Sequence, residues 1–383
     1  MTGNGGHGKK NNRFSIAVLA GDGIGPEVIA VARRVVEAAS GSEGASFEWT
    51  EYPFGAAHYL RTKEVLPDSA IAEIGGHSAM MLGAMGAPSV KPGILERGIL
   101  LTLRFVFDQY INLRPAMSLP NVPTPVPLNG GKIDSVVIRE NTEDLYMGLG
   151  DISSDGTLNA PMNLSRGGYK LKGNLSLSIT PGMSYAAQVA LNTSHGVSRI
   201  ARYACETAIK RGENKVTIVT KSNAAPALYG FFEDIAKGVI EERQLKWEVV
   251  NVDALCYHLV RRPDAYGVLL CPNLFGDIVS DLQAGLAGGM GTAAGGNIGD
   301  GVSMFEPVHG SAPDIAGTGK ANPVAAILSG ALMLRHLGLD SSAARVEKAV
   351  SSYLMSASGS DLPFEFGGSR TCAQVGDGVL KKI

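Results

Sequence analysis

Phe14-Ser-Ile-Ala-Val-Leu-Ala-Gly-Asp-Gly-Ile-Gly-Pro26 is the stretch that decides the fold class of this chain. Residues 14–20 form a short apolar run with β-branched members, the mark of a buried strand. Gly21-Asp-Gly-Ile-Gly-Pro26 turns the chain. The residues after it carry apolar side chains at helical spacing through Val36, with Pro26 in the first turn, where its missing N–H is not needed. Strand, glycine turn and helix make an α/β opening. The turn is not the dinucleotide fingerprint GxGxxG, because Pro26 stands at the third glycine and no acidic residue closes a second strand about 20 residues on. It reads as a tight strand-to-helix connection.

Further α/β units follow. Ala79-Met-Met-Leu-Gly-Ala-Met-Gly-Ala-Pro88 reads as a strand running into a Gly/Pro loop, and Val136-Val-Ile, Val216-Thr-Ile-Val and Gly267-Val-Leu-Leu-Cys read as short apolar strands. Residues 151–180 are rich in Ser, Gly and Asn and alternate at Leu175-Ser-Leu-Ser-Ile, which predicts an antiparallel arm of the kind that joins subunits. The stretch Gly285–Gly301 holds eight glycines, so we expect irregular, mobile or closely approached backbone there. An amphipathic helix returns near the C-terminus, and there is no internal repeat.

The chain's 383 residues, 45% hydrophobic and 18% charged, are enough for two core-bearing lobes. A net charge of −2 argues against a nucleic-acid surface. No run reaches the roughly 18 apolar residues a membrane span requires. Cys205, Cys256, Cys271 and Cys372 are scattered without a CxxC, and no signal peptide is evident, which predicts a reduced, cytoplasmic protein.

The chemistry-bearing residues are concentrated in a few segments. Asn273-Leu-Phe-Gly-Asp-Ile-Val-Ser-Asp281 places Asp277 and Asp281 one helical turn apart on one face, and Asp253 lies in a similar apolar setting. Such hard oxygen ligands suit Mg²⁺ or Mn²⁺; taken alone, the pair could equally be a cap or a solvated face. Arg104, Arg114 and Arg139 emerge from apolar surroundings and need anions. Their forked guanidiniums match carboxylates, so a polyacid opposite a metal is one reading and three structural ion pairs the other. Lys221 ends the strand at 216–219, where it is either a base or a solvated strand end. Tyr146, in Arg139-Glu-Asn-Thr-Glu-Asp-Leu-Tyr, is a proton-donor candidate. His309-Gly-Ser-Ala-Pro-Asp314 through Asn322 is a polar glycine-bearing loop before a helix, able to hold phosphate or adenosine by backbone amides, with Asp314 accepting from ribose hydroxyls.

Together GDGIGPEV (21–28), LRFVFDQYINLRP (103–115), RENTEDLY (139–146), NLFGDIVSD (273–281) and FEPVHGSAPDIAG (305–317) resemble the metal-dependent β-decarboxylating dehydrogenases, the isocitrate/3-isopropylmalate dehydrogenase family, over nearly the whole chain from Phe14. The resemblance implies the family's non-Rossmann α/β fold. Residues 14–125 and 293–383 would form a large cofactor-binding lobe, and 126–292 a small lobe with the metal site and a dimer arm at about 150–182, after a disordered tail at 1–13. It implies that Arg104, Arg114 and Arg139 hold a malate-type polycarboxylate. Asp253, Asp277 and Asp281 would hold Mg²⁺ or Mn²⁺, with Lys221 and Asp253 supplied across a homodimer. NAD would bind at His309, Gly310, Ser311, Ala312, Asp314, Ile315 and Asn322, the pair Asp314-Ile315 resembling the NAD form. Lys221 as base and Tyr146 as proton donor would complete oxidation, loss of CO₂ and protonation of the enol.

The substrate's distal group would be read by the helix before Arg104. In an α-helix Arg97, Leu100, Leu101 and Arg104 share one face, and Leu100-Leu101 resembles 3-isopropylmalate enzymes, our first expectation. RENTEDLY is closer to isocitrate or tartrate enzymes, Thr220 replaces the usual His, and Arg97 stands near a usual acid. That mixture keeps open isocitrate, homoisocitrate, tartrate or D-malate, or a specialised paralogue acting on an acidic or phosphonate-bearing malate. A binding or regulatory subunit that kept the fold without the chemistry, or a metal-stabilised structural protein, is the competing class, separated by NAD binding.

Overall fold

The computed structural model describes residues 12–128, 131–154, 156–166, 169–178, 180 and 182–383. The tail expected over 1–13 falls mainly on residues 1–11, outside the described residues. Arg13 already belongs to the first strand.

The described strands are β1 Arg13–Gly21, β2 Ser46–Glu51, β3 Ala79–Ala84, β4 Ile111–Met117, β5 Asp134–Glu140, β6 Leu149–Ser153, β7 Thr157–Arg166, β8 Tyr169–Ser178, β9 Tyr185–Val189, β10 Lys215–Thr220, β11 Lys246–Asn251, β12 Val268–Cys271, β13 Ala294–Ile298 and β14 Met304–Pro307. Ten of them form one sheet in the order β11-β10-β12-β5-β4-β13-β14-β3-β1-β2. Both flanks are parallel, as crossover helices require, and the centre is antiparallel: β4 pairs with β5 and β13, and β13 with β14. Strands from residues 134–271 make one half, and strands from 13–117 and 294–307 the other.

Alternation along the strands supplies two faces. Ile16 and Val18 of β1 enter one core cluster, shared with the helices Gly25–Ser40, Ser194–Lys210 and Val324–His336. Ala17 and Leu19 enter a second, on the opposite side. The expected strand–turn–helix opening is present, with Pro26 in the first turn of a helix that buries Val28, Ala32, Val35, Val36 and Ala39. The expected arm is present as two antiparallel pairs, β6 with β9 and β7 with β8.

One expectation holds in one of its alternatives and another is corrected. Gly285–Gly301 is closely approached backbone, a Cβ on Gly299 falling 2.4 Å from the Asp108 carbonyl oxygen. It is not irregular throughout, since the helix Asn273–Ala287 covers its start and Ala294–Ile298 is a wholly buried strand in the middle of the sheet. Its glycines serve close packing: a Cβ on Gly295 would lie 3.3 Å from Arg114 Nε, and one on Gly296 3.1 Å from the Phe305 ring. Secondly, Glu96–Leu101 is a π-helical turn. Its wider repeat breaks the α-helical face that grouped Arg97, Leu100, Leu101 and Arg104. Arg97 is exposed, Leu101 is half-buried, Leu100 packs against the second core cluster, and Arg104 is buried.

Candidate functional site

The glycine turn is built for contact. Gly21 and Gly23 adopt φ of +73° and +58°, and a Cβ on Gly23 would lie 1.9 Å from the carbonyl oxygen of Ser311. That carbonyl accepts a hydrogen bond from the Ile24 amide at 2.9 Å, so the turn docks the 309–322 loop. Asp22, unremarked in the sequence reading, accepts from the Ala56 amide (2.7 Å) and the Gly86 amide (3.0 Å). An acid between turn glycines was the available signal. A cavity of about 400 Å³ opens here, lined by Met85, Gly86, Glu96, Gly310, Ser311 and Pro313 among others. Ala312 has φ of +38°, Asp314 is exposed, and Ile315 packs on the core. Asn322 donates to Glu365 (2.8 Å) and its side-chain oxygen accepts from the Val324 amide at the start of the following helix. Burial pulls the His309 imidazole below its ordinary value, and its buried Nε2 has no partner among the described residues. A backbone loop lining a cavity beside an unpartnered ring nitrogen fits a dinucleotide.

A second cluster lies where β4, β5 and the helix Asn273–Ala287 meet. Arg139, 2% exposed, ends β5. Its Nε donates to the backbone and side-chain oxygens of Asn273 (2.9 and 3.0 Å), and its Nη1 meets Asp277 Oδ1 at 2.5 Å. Gly276 makes this possible, because a Cβ there would lie 2.5 Å from Arg139 Cγ. The Tyr146 hydroxyl donates to the other oxygen of Asp277, and its ring centroid lies 4.9 Å from the Arg139 guanidinium carbon. Burial, then this bond to Asp277, raises the Tyr146 phenol, keeping it protonated. Burial opposes the charge on Asp277, but Arg139 and the Tyr146 bond outweigh it and hold the carboxyl below its usual range.

Arg114 approaches Asp281 at 3.9 Å. Burial, then Arg139, pulls Arg104 down to about 9, still charged at neutral pH, and lowers Arg114 in the same direction. The Nε atoms of Arg104 and Arg114 are buried without partners among the described residues. Two guanidiniums with acceptor-less Nε atoms, beside a third that is already paired to Asp277, make a candidate anion site.

Asp277 and Asp281 lie together as expected, and burial raises Asp281. Asp253 is not with them. It stands exposed at the start of the helix Val252–Arg261, where Lys221 Nζ meets its Oδ1 at 2.7 Å and draws its pKa down. Among the described residues of one chain no three acidic, histidine or cysteine side chains converge to hold a metal. Two carboxylates one turn apart fit two positions of a hard cation; a third ligand has to come from elsewhere.

Glu140, Glu143 and Asp144 are also buried, which their acidity hid from sequence reasoning. Glu140 caps its own turn by accepting from the amides of Thr142 and Glu143. Glu143 accepts from the Thr193 amide (2.8 Å) and hydroxyl (2.6 Å), and Asp144 from the Leu274 amide (2.9 Å). The run 140–146 is thus a junction joining β5 to the helices Ser194–Lys210 and Asn273–Ala287. No described helix is long and apolar enough to cross a membrane.

Comparison with known proteins bears on the family and the fold. The family model described as isocitrate/isopropylmalate dehydrogenase matches residues 15–379. The chain is 43% identical over 379 residues to a 3-isopropylmalate dehydrogenase of Clavibacter sepedonicus, covering 97% of this chain and 98% of that one. It is 41% identical over 373 residues to one of Thermobifida fusca, covering 96% and 97%. The crystal structure of an isocitrate dehydrogenase from Methylococcus capsulatus superposes with a TM-score of 0.80 at 32% identity, covering 96% of this chain and 99% of that chain.

Proposed function

This chain belongs to the isocitrate/isopropylmalate dehydrogenase family, and we propose that it is the dehydrogenase that converts a 3-substituted malate, 3-isopropylmalate-like, to a 2-keto acid and CO₂ with NAD as acceptor. The observation that carries the reading is the grouping of buried Arg104 and Arg139 with half-buried Arg114 around the Asp277–Asp281 helix face, where Arg139 and the Tyr146 hydroxyl share Asp277 and Arg114 approaches Asp281. The names of the relatives support the substrate class and an alkyl distal group. Arg97, exposed on its π-turn, gives less support to an acidic one.

Arg104, Arg114 and Arg139 would bind and orient the two malate carboxylates, which would supply the acceptors that the Nε atoms of Arg104 and Arg114 lack. Lys221 would take the 2-hydroxyl proton as hydride leaves C2. The 3-carboxylate then departs as CO₂, and Tyr146, protonated and beside Arg139, would deliver its proton to C3 of the enol. Asp277 and Asp281 would hold a divalent cation with Asp253 from a second copy of the chain, and the 309–322 loop would hold NAD; when bound they supply Lewis-acid stabilisation and the hydride acceptor.

A homodimer is supported by exposed apolar side chains on the two helices that carry the aspartates, Tyr257 (62% exposed), Val260 and Ile278, and on the arm, Ile152 and Met183. Four free cysteines, three of them buried, support a reducing, cytoplasmic setting.

The test is NADH formation with Mg²⁺ against 3-isopropylmalate, isocitrate, homoisocitrate, D-malate, tartrate and phosphonomethyl malate. Turnover confined to 3-isopropylmalate supports the reading. Preference for an acidic member overturns the distal-group assignment, and failure to bind NAD in calorimetry overturns the whole.

A further inference from the structure

The hairpin β7–β8 pairs in unbroken register from Thr157↔Ser178 to Arg166↔Tyr169. Its far end is seated on the chain that bears it. The Arg166 guanidinium carbon lies 4.2 Å from the centroid of the Phe105 ring, a cation–π distance. Phe105 follows Arg104 in the helix Thr102–Val106. Burial lowers the Arg166 guanidinium against the opposing charges of Tyr169, Asp108, Glu140 and Glu143, and burial with the charge of Glu143 raises the Tyr169 phenol.

These acids connect the anion site's two sides. Asp108 lies just beyond the Arg104 helix and is gripped by Arg199 at 2.6 and 3.0 Å; Arg199 also reaches Thr142 Oγ1 (3.2 Å) and stacks over Tyr110 at 4.0 Å. Glu140 adjoins Arg139, and Glu143 lies three residues before Tyr146. Glu140 and Glu143 are no more than 1% exposed. Among the described residues, Arg199 holds this junction by its bonds to Asp108 and Thr142. Buried carboxylates are costly to hold without nearby cations, so a second cation from the hairpin would help draw the Arg104 helix and the 140–146 turn together.

We propose that Arg166 is a positioning residue, and that through it the last paired residues of the hairpin act as a strap setting the separation of Arg104 from Arg139 and Tyr146. The proposal rests on the reading of those arginines as the carboxylate site. A misplacement near 1 Å at such a site is expected to weaken use of the malate-type substrate by about 10- to 100-fold.

The experiment measures kcat and KM for 3-isopropylmalate and D-malate, and KM for NAD⁺, in the full chain with Mg²⁺. The variants are Arg166→Ala, Arg166→Lys, Phe105→Ala, the double Arg166→Ala/Phe105→Ala, and Arg104→Ala as control. The proposal requires Arg166→Ala to raise the malate KM with the NAD⁺ KM within about twofold of wild type, Arg166→Lys to recover most of the loss, and the Arg166/Phe105 pair to be non-additive. If Arg104→Ala raises the malate KM and Arg166→Ala does not, the strap is refuted while the carboxylate site stands. If Arg104→Ala changes nothing, the site reading itself fails and the strap with it. If Arg166→Ala merely lowers Tm, or changes kcat and both KM values together without rescue by lysine, the role is structural and the proposal is overturned.

Discussion

Replacing Gly23 by alanine tests the link between the opening turn and the candidate dinucleotide loop. The native φ of +58° costs an alanine about 1–2 kcal/mol. The new Cβ would also fall 1.9 Å from Ser311 O. Relief needs a shift of more than 1 Å, roughly the difference from an ordinary contact of 3.4 Å. That shift breaks the Ile24–Ser311 hydrogen bond, a further loss of about 1 kcal/mol. The sum is about 2–3 kcal/mol of stability, with Ser311 displaced from the wall of the cavity. Urea unfolding should show a lowered midpoint with an unchanged m-value, and calorimetry should show weakened NAD⁺ binding. Gly310→Ala is the control, because its Cβ would meet nothing within 4 Å. It should leave the midpoint in place and alter only NAD⁺ affinity. A Gly23→Ala protein with wild-type midpoint and wild-type affinity would refute the docking argument.

The remaining predictions concern the anion site and its support. Gly276→Ala pushes a Cβ to 2.5 Å from Arg139 Cγ, and should cost about 1–3 kcal/mol by overpacking while raising the substrate KM; thermal unfolding and steady-state kinetics read both. Tyr146→Phe should lower kcat by about 10²–10⁴ with far smaller change in KM, as expected for a lost proton donor; an unchanged kcat removes Tyr146 from the mechanism. Burial, then Glu143, raises Glu140 from 4.5 to about 7. An acid raised on folding holds its proton in the native state when the unfolded chain has lost it, so this group's contribution declines as pH rises from 4.5 to about 7 and is level above. Denaturant melts between pH 5 and 8 should show that decline in wild type and not in Glu140→Gln.

How legible all this was depended on what each residue type betrays. The strand–turn–helix opening showed in an apolar run, two αL glycines and a well-placed proline, all local signals. The arginines showed because charge inside apolar sequence demands explanation. The π-turn at Glu96–Leu101 had no such signal: it belongs to tertiary packing, with Gly98 so close to Val65 that a Cβ would lie 2.5 Å away. Buried Glu140, Glu143 and Asp144 were masked by the rule that acids face water: Glu140 is satisfied by the amides of its own turn, and Glu143 and Asp144 by groups brought from residues far along the chain. Strand β13 was masked by glycines that look like loop and in fact admit Arg114 and Phe305. Lys221 and Asp253 were each visible, but their mutual ion pair was not.

The order of the sheet also has a temporal side. Strands β13 and β14 lie between β4 and β3 at the middle of the sheet, yet they are encoded at residues 294–307, long after both neighbours. During synthesis the N-terminal strands therefore wait with open edges on β3 and β4. Each edge presents unpaired amides and carbonyls above apolar side chains, the surface most prone to pairing with another chain. The buried, glycine-rich β13, antiparallel to both neighbours, and then β14 enter as the last central pieces. A ribosome-bound chain ending before residue 294 should be captured by chaperones that release it once residue 307 has cleared the exit tunnel.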